Sequence, residues 1–367
     1  MSTFVELPDM KINTFFPILF LFTITLLGLA SCGPDTMSSR AGILPAAFGK
    51  ANKLVVIADS TWWEEGLRDS VDYTFGAPFL ILPRPEPLYD LTHFDYKELE
   101  YKPARKELRS YLIVSHEGLR GSKIDDLIRK DLGDSVLPAG KPYSVKLVQN
   151  RWATNQVIFY IYGRNAEEVY RAIVERGPAM LSKLKEHDLP IIESQAYAAR
   201  ENAALGNQVR ELTGASFRIP GEFVTGLDID SSLWLRKDAT DITLSLMFRK
   251  IPYTSPEQFS LEGFRAIHDR MTRIVTSQIE NTRMQVDDRD LPMFFSQQSL
   301  DGQYAMEVRG IWSMQNDFMG GPFISYLIQS PDQRSLIVAT GFIYGPGKSK
   351  REWMQQLEVI LRTAHFK

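Results

Sequence analysis

A single cysteine in 367 residues limits how this chain can hold itself together, because one thiol cannot form an intrachain disulfide. Any domain in it must be stable through its hydrophobic core alone. Cys32 also stands directly after Leu29, Ala30 and Ser31, at the end of an apolar run over residues 12–30. Small residues and a cysteine after such a run are typical of a lipoprotein signal. We therefore predict that residues 1–31 are a cleaved signal peptide and that Cys32, diacylglyceryl-modified and acylated, anchors the chain in a membrane.

The region before the apolar run is acidic, with Glu6 and Asp9 ahead of Lys11. A secretory signal begins with a basic region, and a start at Met10 would provide one. The apolar run is also close to the ~20 residues of a membrane-spanning helix, which is an alternative to cleavage. The small residues and the cysteine at its end favour the cleaved signal.

Residues 32–43 contain Pro34, Ser38 and Ser39 and show no apolar periodicity, which is typical of a tether. At about 3.5 Å per extended residue, this segment reaches at most ~40 Å. A folded part behind it would therefore stay close to the membrane.

The charge of the chain excludes nucleic acid as a partner. Its 42 basic and 45 acidic residues are interspersed and leave a net charge of −3, whereas a nucleic-acid-binding protein carries a basic face. The expected partners are the membrane, through Cys32, and a neighbouring envelope protein. The sequence leaves the oligomeric state open.

The chain after the tether is long enough for two domains, which we place at residues 44–189 and 190–367. The boundary follows Asp188-Leu189-Pro190, because proline is expected to end a helix over residues 166–186. Apolar residues at helical spacing predict a second long helix over residues 257–282. Strand patterns alternate with these helices, which predicts an α+β fold of two consecutive halves, each an antiparallel sheet covered by helices.

A short echo connects the two halves. Ile161-Tyr162-Gly163 and Ile343-Tyr344-Gly345 both end a strand that leads into a helix. The echo leaves a duplicated fold open, because an aromatic residue and a turn glycine are also a common way to pass from strand to helix.

Several local motifs are shared with a known family. The first is the lipoprotein signal motif Leu29-Ala30-Ser31-Cys32. The others are Leu44-Pro45-Ala46-Ala47-Phe48-Gly49-Lys50, Leu82-Pro83 with Glu86-Pro87, Trp152-Ala153 with Gln156, Met319-Gly320-Gly321-Pro322-Phe323, and Gly341-Phe342-Ile343-Tyr344 with Lys350-Arg351. With them, nearly the whole mature chain resembles family 4837 of domains of unknown function, which are uncharacterised lipoproteins of Bacteroidetes-type bacteria. The resemblance implies a place in the cell envelope, at the outer membrane of a Gram-negative bacterium, and it implies no activity.

The second half carries a further resemblance. The order of elements over residues 213–367, with Phe217-Arg218-Ile219-Pro220, paired strands, a long helix, three strands and a terminal helix, is similar to the photosystem II extrinsic protein PsbP and its relatives. This resemblance implies a PsbP-like fold and a role in binding or assembly. Because one fold serves many functions, it assigns no site.

Aromatic residues and glycines provide the first candidate binding sites. Trp152, Trp312 and Phe323 could line an apolar groove, although large aromatic residues lie more often in a core. Gly320 and Gly321 could let the backbone approach a ligand closely, or they could form a tight entry into a strand.

Glu86 is a further candidate, because the prolines on either side fix how it is presented. It could serve recognition or form a structural salt bridge. Motifs for catalysis, metals or cofactors are missing: Gly347-Lys348-Ser349 lacks the earlier glycine of a phosphate-binding loop, and the histidines are scattered. We therefore expect no enzyme but a binding or assembly module. The alternatives are an envelope hydrolase with paired carboxylates and a purely structural lipoprotein.

Overall fold

The computed structural model describes residues 44–229 and 231–366. The predicted signal peptide, Cys32 and the tether lie outside these residues. The chain from Leu44 to Lys367 forms one compact unit. In the described part of it, no helix combines the length and the apolar character that crossing a membrane requires.

The first part of this unit is built on a five-stranded sheet. The strands are β1 (Lys53–Ile57), β2 (Asp90–Phe94), β3 (Ser110–His116), β4 (Tyr143–Gln149) and β5 (Val157–Gly163), in the order β2-β1-β3-β5-β4. The helices are α1 (Ser60–Trp62), α2 (Arg68–Phe75), α3 (Tyr96–Tyr101), α4 (Lys123–Leu132) and α5 (Ala166–Ala196), and a π-helical turn joins α1 to α2. Helices α2 and α5 cover one face of the sheet and α3 and α4 the other.

The antiparallel sheet predicted for this part is wrong. The pairs β1–β2, β1–β3 and β3–β5 are parallel, and β4–β5 is antiparallel. Helices rather than short turns connect most of these strands, and such crossovers bring the next strand back in the same direction. Burial on both faces also explains why β3 and β5 read as continuous apolar runs.

The second part is built on an eight-stranded sheet that is antiparallel throughout, as predicted. Its strands are β6 (Val224–Ile229), β7 (Ser232–Ala239), β8 (Ile242–Pro252), β9 (Arg283–Asp287), β10 (Phe294–Leu300), β11 (Gln303–Gln315), β12 (Gly320–Gln329) and β13 (Ser335–Tyr344). The order is β10-β11-β12-β13-β8-β7-β6, and β9 pairs with β11. Helices α6 (Ala203–Thr213) and α8 (Arg351–Leu361) cover one face and α7 (Leu261–Thr272) the other.

The predicted α+β class with two consecutive parts is thus confirmed. The two sheets differ in strand direction, so the echo between them does not reflect a repeated fold. Gly163 and Gly345 are similar only locally, because each leaves room for a side chain that packs closely on the end of its strand. A Cβ atom at either glycine would come within 2.7 Å of a neighbouring side chain, Val169 in one case and Ile242 in the other.

Helix α5 does not end at Asp188-Leu189-Pro190 as predicted. It runs through Pro178 and Pro190 to Ala196 and crosses the proposed domain boundary. Both prolines are exposed, so water can satisfy the carbonyl groups that lose their hydrogen bonds. As a result, one helix borders both sheets and packs against α8.

Candidate functional site

A cleft of about 510 Å³ lies where α5 meets α8. Its walls combine apolar residues from three segments with a polar floor. The apolar residues are Phe79, Leu80, Leu88, Leu189, Ile192 and Val359, and the polar ones include Asn52, Tyr89, Asp188, Glu307, Arg309, Gln355, Glu358 and Arg362. This cleft brings together side chains from both parts of the chain, which makes it the best candidate for a binding site.

Arg309 on β11 is the centre of the polar floor. Its guanidinium donates to Glu307 and contacts Glu358, each at 2.7 Å, and it lies 5.9 Å from the ring centre of Phe79. The Tyr326 hydroxyl donates to the second oxygen of Glu307 at 2.7 Å. Burial alone would lower the pKa of Arg309, but the two carboxylates outweigh it and raise this pKa. The floor therefore presents a fixed and compensated charge cluster.

A second polar group surrounds Asp188 on α5. Its carboxylate accepts a hydrogen bond from the Asn52 backbone at 2.9 Å and lies 4.0 Å from Arg109. Burial raises the pKa of Asp188, and the hydrogen bond from Asn52 and the positive charge of Arg109 oppose that rise. The buried Tyr89 hydroxyl lies beside this carboxylate, and burial together with the charge of Asp188 raises the pKa of Tyr89.

Sequence reasoning missed every residue of this floor. No local motif links Asn52, Asp188 and Arg309, which lie far apart in the chain. One signal was present: Glu307 and Arg309 are charged residues inside the otherwise apolar pattern of β11, and both are largely buried. Charges at such positions indicate a paired cluster.

Trp312 is not part of a groove. It is 1% exposed in the core of the second sheet, and its indole donates to the Ile343 carbonyl at 3.2 Å. Gly320 and Gly321 lie opposite it on β12, and a Cβ atom at Gly321 would overlap the Ile343 carbonyl oxygen. The glycine pair is therefore explained by close packing around the indole.

Phe323 is also a core residue. Its fully buried ring stacks on His268 at 4.6 Å between centroids, with Phe264 nearby. Burial in this aromatic layer lowers the pKa of His268. Trp152 lies in the first part of the chain, edge-on to Tyr111 at 5.3 Å. The structure therefore does not bring the two tryptophans together.

Glu86 has a structural role, but it fills this role by accepting hydrogen bonds from backbone N–H groups and not by the predicted salt bridge. Its two carboxylate oxygens accept the backbone N–H groups of Lys350 at 2.5 Å and of Arg351 at 3.2 Å. A carboxylate at a helix N-terminus satisfies free donors and interacts favourably with the helix dipole. Glu86 thus joins the proline-rich segment of the first part to α8 of the second.

Two further contacts reinforce this joint. The Arg351 guanidinium donates to the Pro87 carbonyl at 2.6 Å and to Asp90 at 2.9 Å. The side chains of Asn52 and Gln355 exchange two hydrogen bonds, at 2.7 and 2.9 Å. Together with Glu86, these contacts fix the position of α8 and so set the width of the cleft.

Metal binding finds no support among the described residues, since no group of three histidine, cysteine or carboxylate side chains is placed to hold an ion. Cys32, the predicted lipid site, lies outside them.

Comparison with known families divides the chain just after the end of α5, between residues 197 and 202. Residues 202–363 match the model of a domain of unknown function, DUF4837, which confirms the resemblance to family 4837. Residues 47–197 match a different one, DUF8532, so the resemblance does not extend over the whole chain as expected. No curated protein matches.

Among solved structures, the human StarD13 (DLC2) lipid transfer and protein localization domain is similar over 44% of this chain and 93% of its own length, with 11% identity. Its TM-score of 0.20 is too low to support an argument about fold or ligand. The PsbP-like fold of the second part stays a prediction.

Substituting Gly321→Ala should lower the free energy of unfolding by about 2–3 kcal/mol, because the added methyl group displaces the Ile343 backbone. Gly226→Ala is the matched control. A Cβ there meets its nearest atom at 3.4 Å, an ordinary contact, and the expected loss is under about 1 kcal/mol. Denaturant unfolding measures both. Equal stability of the two variants would contradict the packing role of Gly321.

Substituting Glu86→Ala should cost about 1–2 kcal/mol, because two half-buried N–H groups at the start of α8 lose their acceptor. The control is Glu117→Ala, an exposed glutamate on the first part, for which we expect a change below about 0.5 kcal/mol. Thermal and denaturant unfolding report the difference. A Glu86→Ala variant as stable as the control would show that the cap contributes nothing.

Proposed function

We propose that this chain is a lipid-anchored protein of the cell envelope, at the outer membrane of a Gram-negative bacterium, and that it acts as a binding or assembly module. Its recognition site is the cleft between α5 and α8. The apolar run and Cys32 support the anchor.

The observation that carries this proposal is the composition of the cleft. Leu80 and Leu189 are about half exposed on its apolar wall, while Asn52, Arg309 and Gln355 line its polar floor. An apolar wall with a few placed polar groups is the usual make-up of a small-molecule or peptide site. The ligand that fits is an amphipathic envelope molecule with an apolar portion and a polar end.

The hydrolase alternative has less support from this geometry. A hydrolase with two carboxylates needs one to donate a proton and the other to attack or to activate water. Glu307 and Glu358 share the cleft, but both are bound to Arg309. We therefore propose binding without catalysis, and no cofactor.

Photo-crosslinking in intact cells tests the cleft. A photoreactive residue replaces Leu189, which is 48% exposed at the rim, and the control position is Val174, 51% exposed on the same helix but about 22 Å away along its axis. We expect a species captured from position 189 and not from 174. Ser182→Trp, at an exposed cleft position, should reduce the capture. Identical capture at both positions, or none, would favour a purely structural lipoprotein.

Metabolic labelling with an alkynyl fatty acid tests the anchor. The wild-type chain should incorporate the label and sediment with membranes, whereas Cys32→Ser should lose the label and sediment less, since about 0.8 kcal/mol per buried methylene is lost with the acyl chains. Ser31→Ala is the control, because it keeps the thiol and a small residue before it. An unlabelled wild-type chain would overturn this part of the proposal.

A further inference from the structure

Strand β4 leaves one edge of the first sheet open. It forms seven consecutive pairs with β5, from Tyr143–Gly163 to Gln149–Val157, with no bulge. In the part of the chain that the structure describes, its other side pairs with no strand. Exposed edges are usually protected against pairing with other chains. Strand β6, at the edge of the second sheet, has such protection, because a bulge at Gly226 interrupts its register. Strand β4 has no bulge of this kind.

The backbone groups that face this open edge can be assigned. Asn150 donates to the Gln156 carbonyl and Arg164 donates to the Pro142 carbonyl, so these two pairs are hydrogen-bonded ones. Hydrogen-bonded and non-hydrogen-bonded pairs alternate along an antiparallel ladder. The N–H and C=O groups that point away from β5 therefore belong to Tyr143, Val145, Leu147 and Gln149.

A groove of about 720 Å³ runs beside the same edge, between β4 and α5. Its floor is apolar and includes Val145, Leu147, Phe159 and Met180. Leu147 is 43% exposed. Because α5 packs more closely on β5 than on β4, the groove stays open beside β4 and has the lining that a sixth strand would need.

The rim of the groove is basic, although the chain as a whole is slightly acidic. Four basic residues line it and one acidic residue, Glu175. Glu175 is engaged by the Tyr143 hydroxyl, and Arg171 and Lys183 have acidic neighbours on their own helix. Lys141 and Arg176 are exposed and form no ion pair within the described residues. Two positive charges beside an open strand are thus available to a partner.

We infer that β4 binds an extended segment of a partner protein as a sixth strand, and that this segment carries both acidic and apolar residues on the side that faces α5. Its backbone pairs with the outward groups of Val145 and Leu147, as in other cases of strand addition. Of the side chains on this side, the apolar ones enter the groove beside Phe159, and the acidic ones meet Lys141 and Arg176, which line the same groove. This surface is separate from the cleft, since α5 presents different residues to each.

Fluorescence anisotropy with synthetic peptides tests this inference on the full chain in detergent. The probes are labelled heptapeptides in which pairs of glutamates alternate with pairs of valine, leucine or phenylalanine, so that each face of the strand carries both kinds of residue, and counterparts with lysine in place of glutamate. At least one glutamate peptide should bind about tenfold or more tightly than its lysine counterpart, and binding should weaken as salt rises. No preference for glutamate in any pair would overturn the inference.

Four variants separate the charge from the backbone contribution. Lys141→Glu with Arg176→Glu should weaken binding about tenfold, while Lys97→Glu, an exposed lysine on α3, should leave it within about twofold. Leu147→Pro removes an outward N–H that β5 does not use, and it should bind about tenfold more weakly than Leu147→Ser, which keeps that donor.

Two outcomes distinguish binding at β4 from binding in the cleft and from binding of the basic rim to a membrane. Ser182→Trp, which narrows the cleft, should leave peptide binding unchanged, so failure of the proposed function would not mimic failure here. Vesicles with anionic lipid that displace the glutamate peptides in a manner dependent on Lys141 and Arg176, but not on the Leu147 backbone, would assign the basic rim to a membrane and overturn the inference.

Discussion

The N-terminus of α8 is the point on which the arrangement of the two sheets depends. Glu86 accepts two of its free N–H groups, and Arg351 in its first turn bridges back to Asp90 on the first sheet. Each such contact contributes only about 1–2 kcal/mol, but all of them act on the same helical turn. The prolines beside Glu86 reduce the freedom that the unfolded segment loses when the cap forms. The joint therefore gains from local stiffness as well as from hydrogen bonds, in a chain whose described part contains no cysteine.

This joint also explains why so many charges are buried at the cleft. A helix that crosses from one part to the other must cover the polar ends of both, and an unpaired buried charge would cost several kcal/mol. Asp188 on α5 meets Asn52 and Arg109 from the first part, while Arg309 and Glu358 pair within the second. Asp188 and Arg309 are thus paired with residues on their own side of the cleft, whereas Arg351 and Asp90 pair across the joint. The cleft lies between two surfaces whose buried charges already have partners.

The sequence predicted the elements better than their connections. Apolar runs and alternation were sufficient for the α+β class and for the antiparallel second sheet, because both depend on local periodicity. Strand direction in the first sheet was not predictable in this way, since a buried apolar run looks the same in a parallel and an antiparallel sheet.

The predicted ends of the two long helices were both wrong: one helix is longer than predicted and the other is shorter. Helix α5 tolerates Pro178 and Pro190 because they face water, and α7 ends at Thr272 although apolar residues continue at helical spacing. The site was harder still: Glu86 was identified as an unusual residue, but its acceptor role depends on a helix more than 260 residues away.

Helix α5 borders both proposed binding surfaces, which raises the question of whether they are coupled. Coupling requires an element with two arrangements that both ligands bias. Helix α5 is held at its start by the Asn165 cap and in its last third by Asp188, and between them Gly177 packs so closely on Thr74 that a sideways shift would meet α2. A helix held at these points behaves as a rigid wall. The geometry therefore favours two independent surfaces, one for an amphipathic ligand and one for a partner strand, joined in one protein by their common support rather than by communication between them.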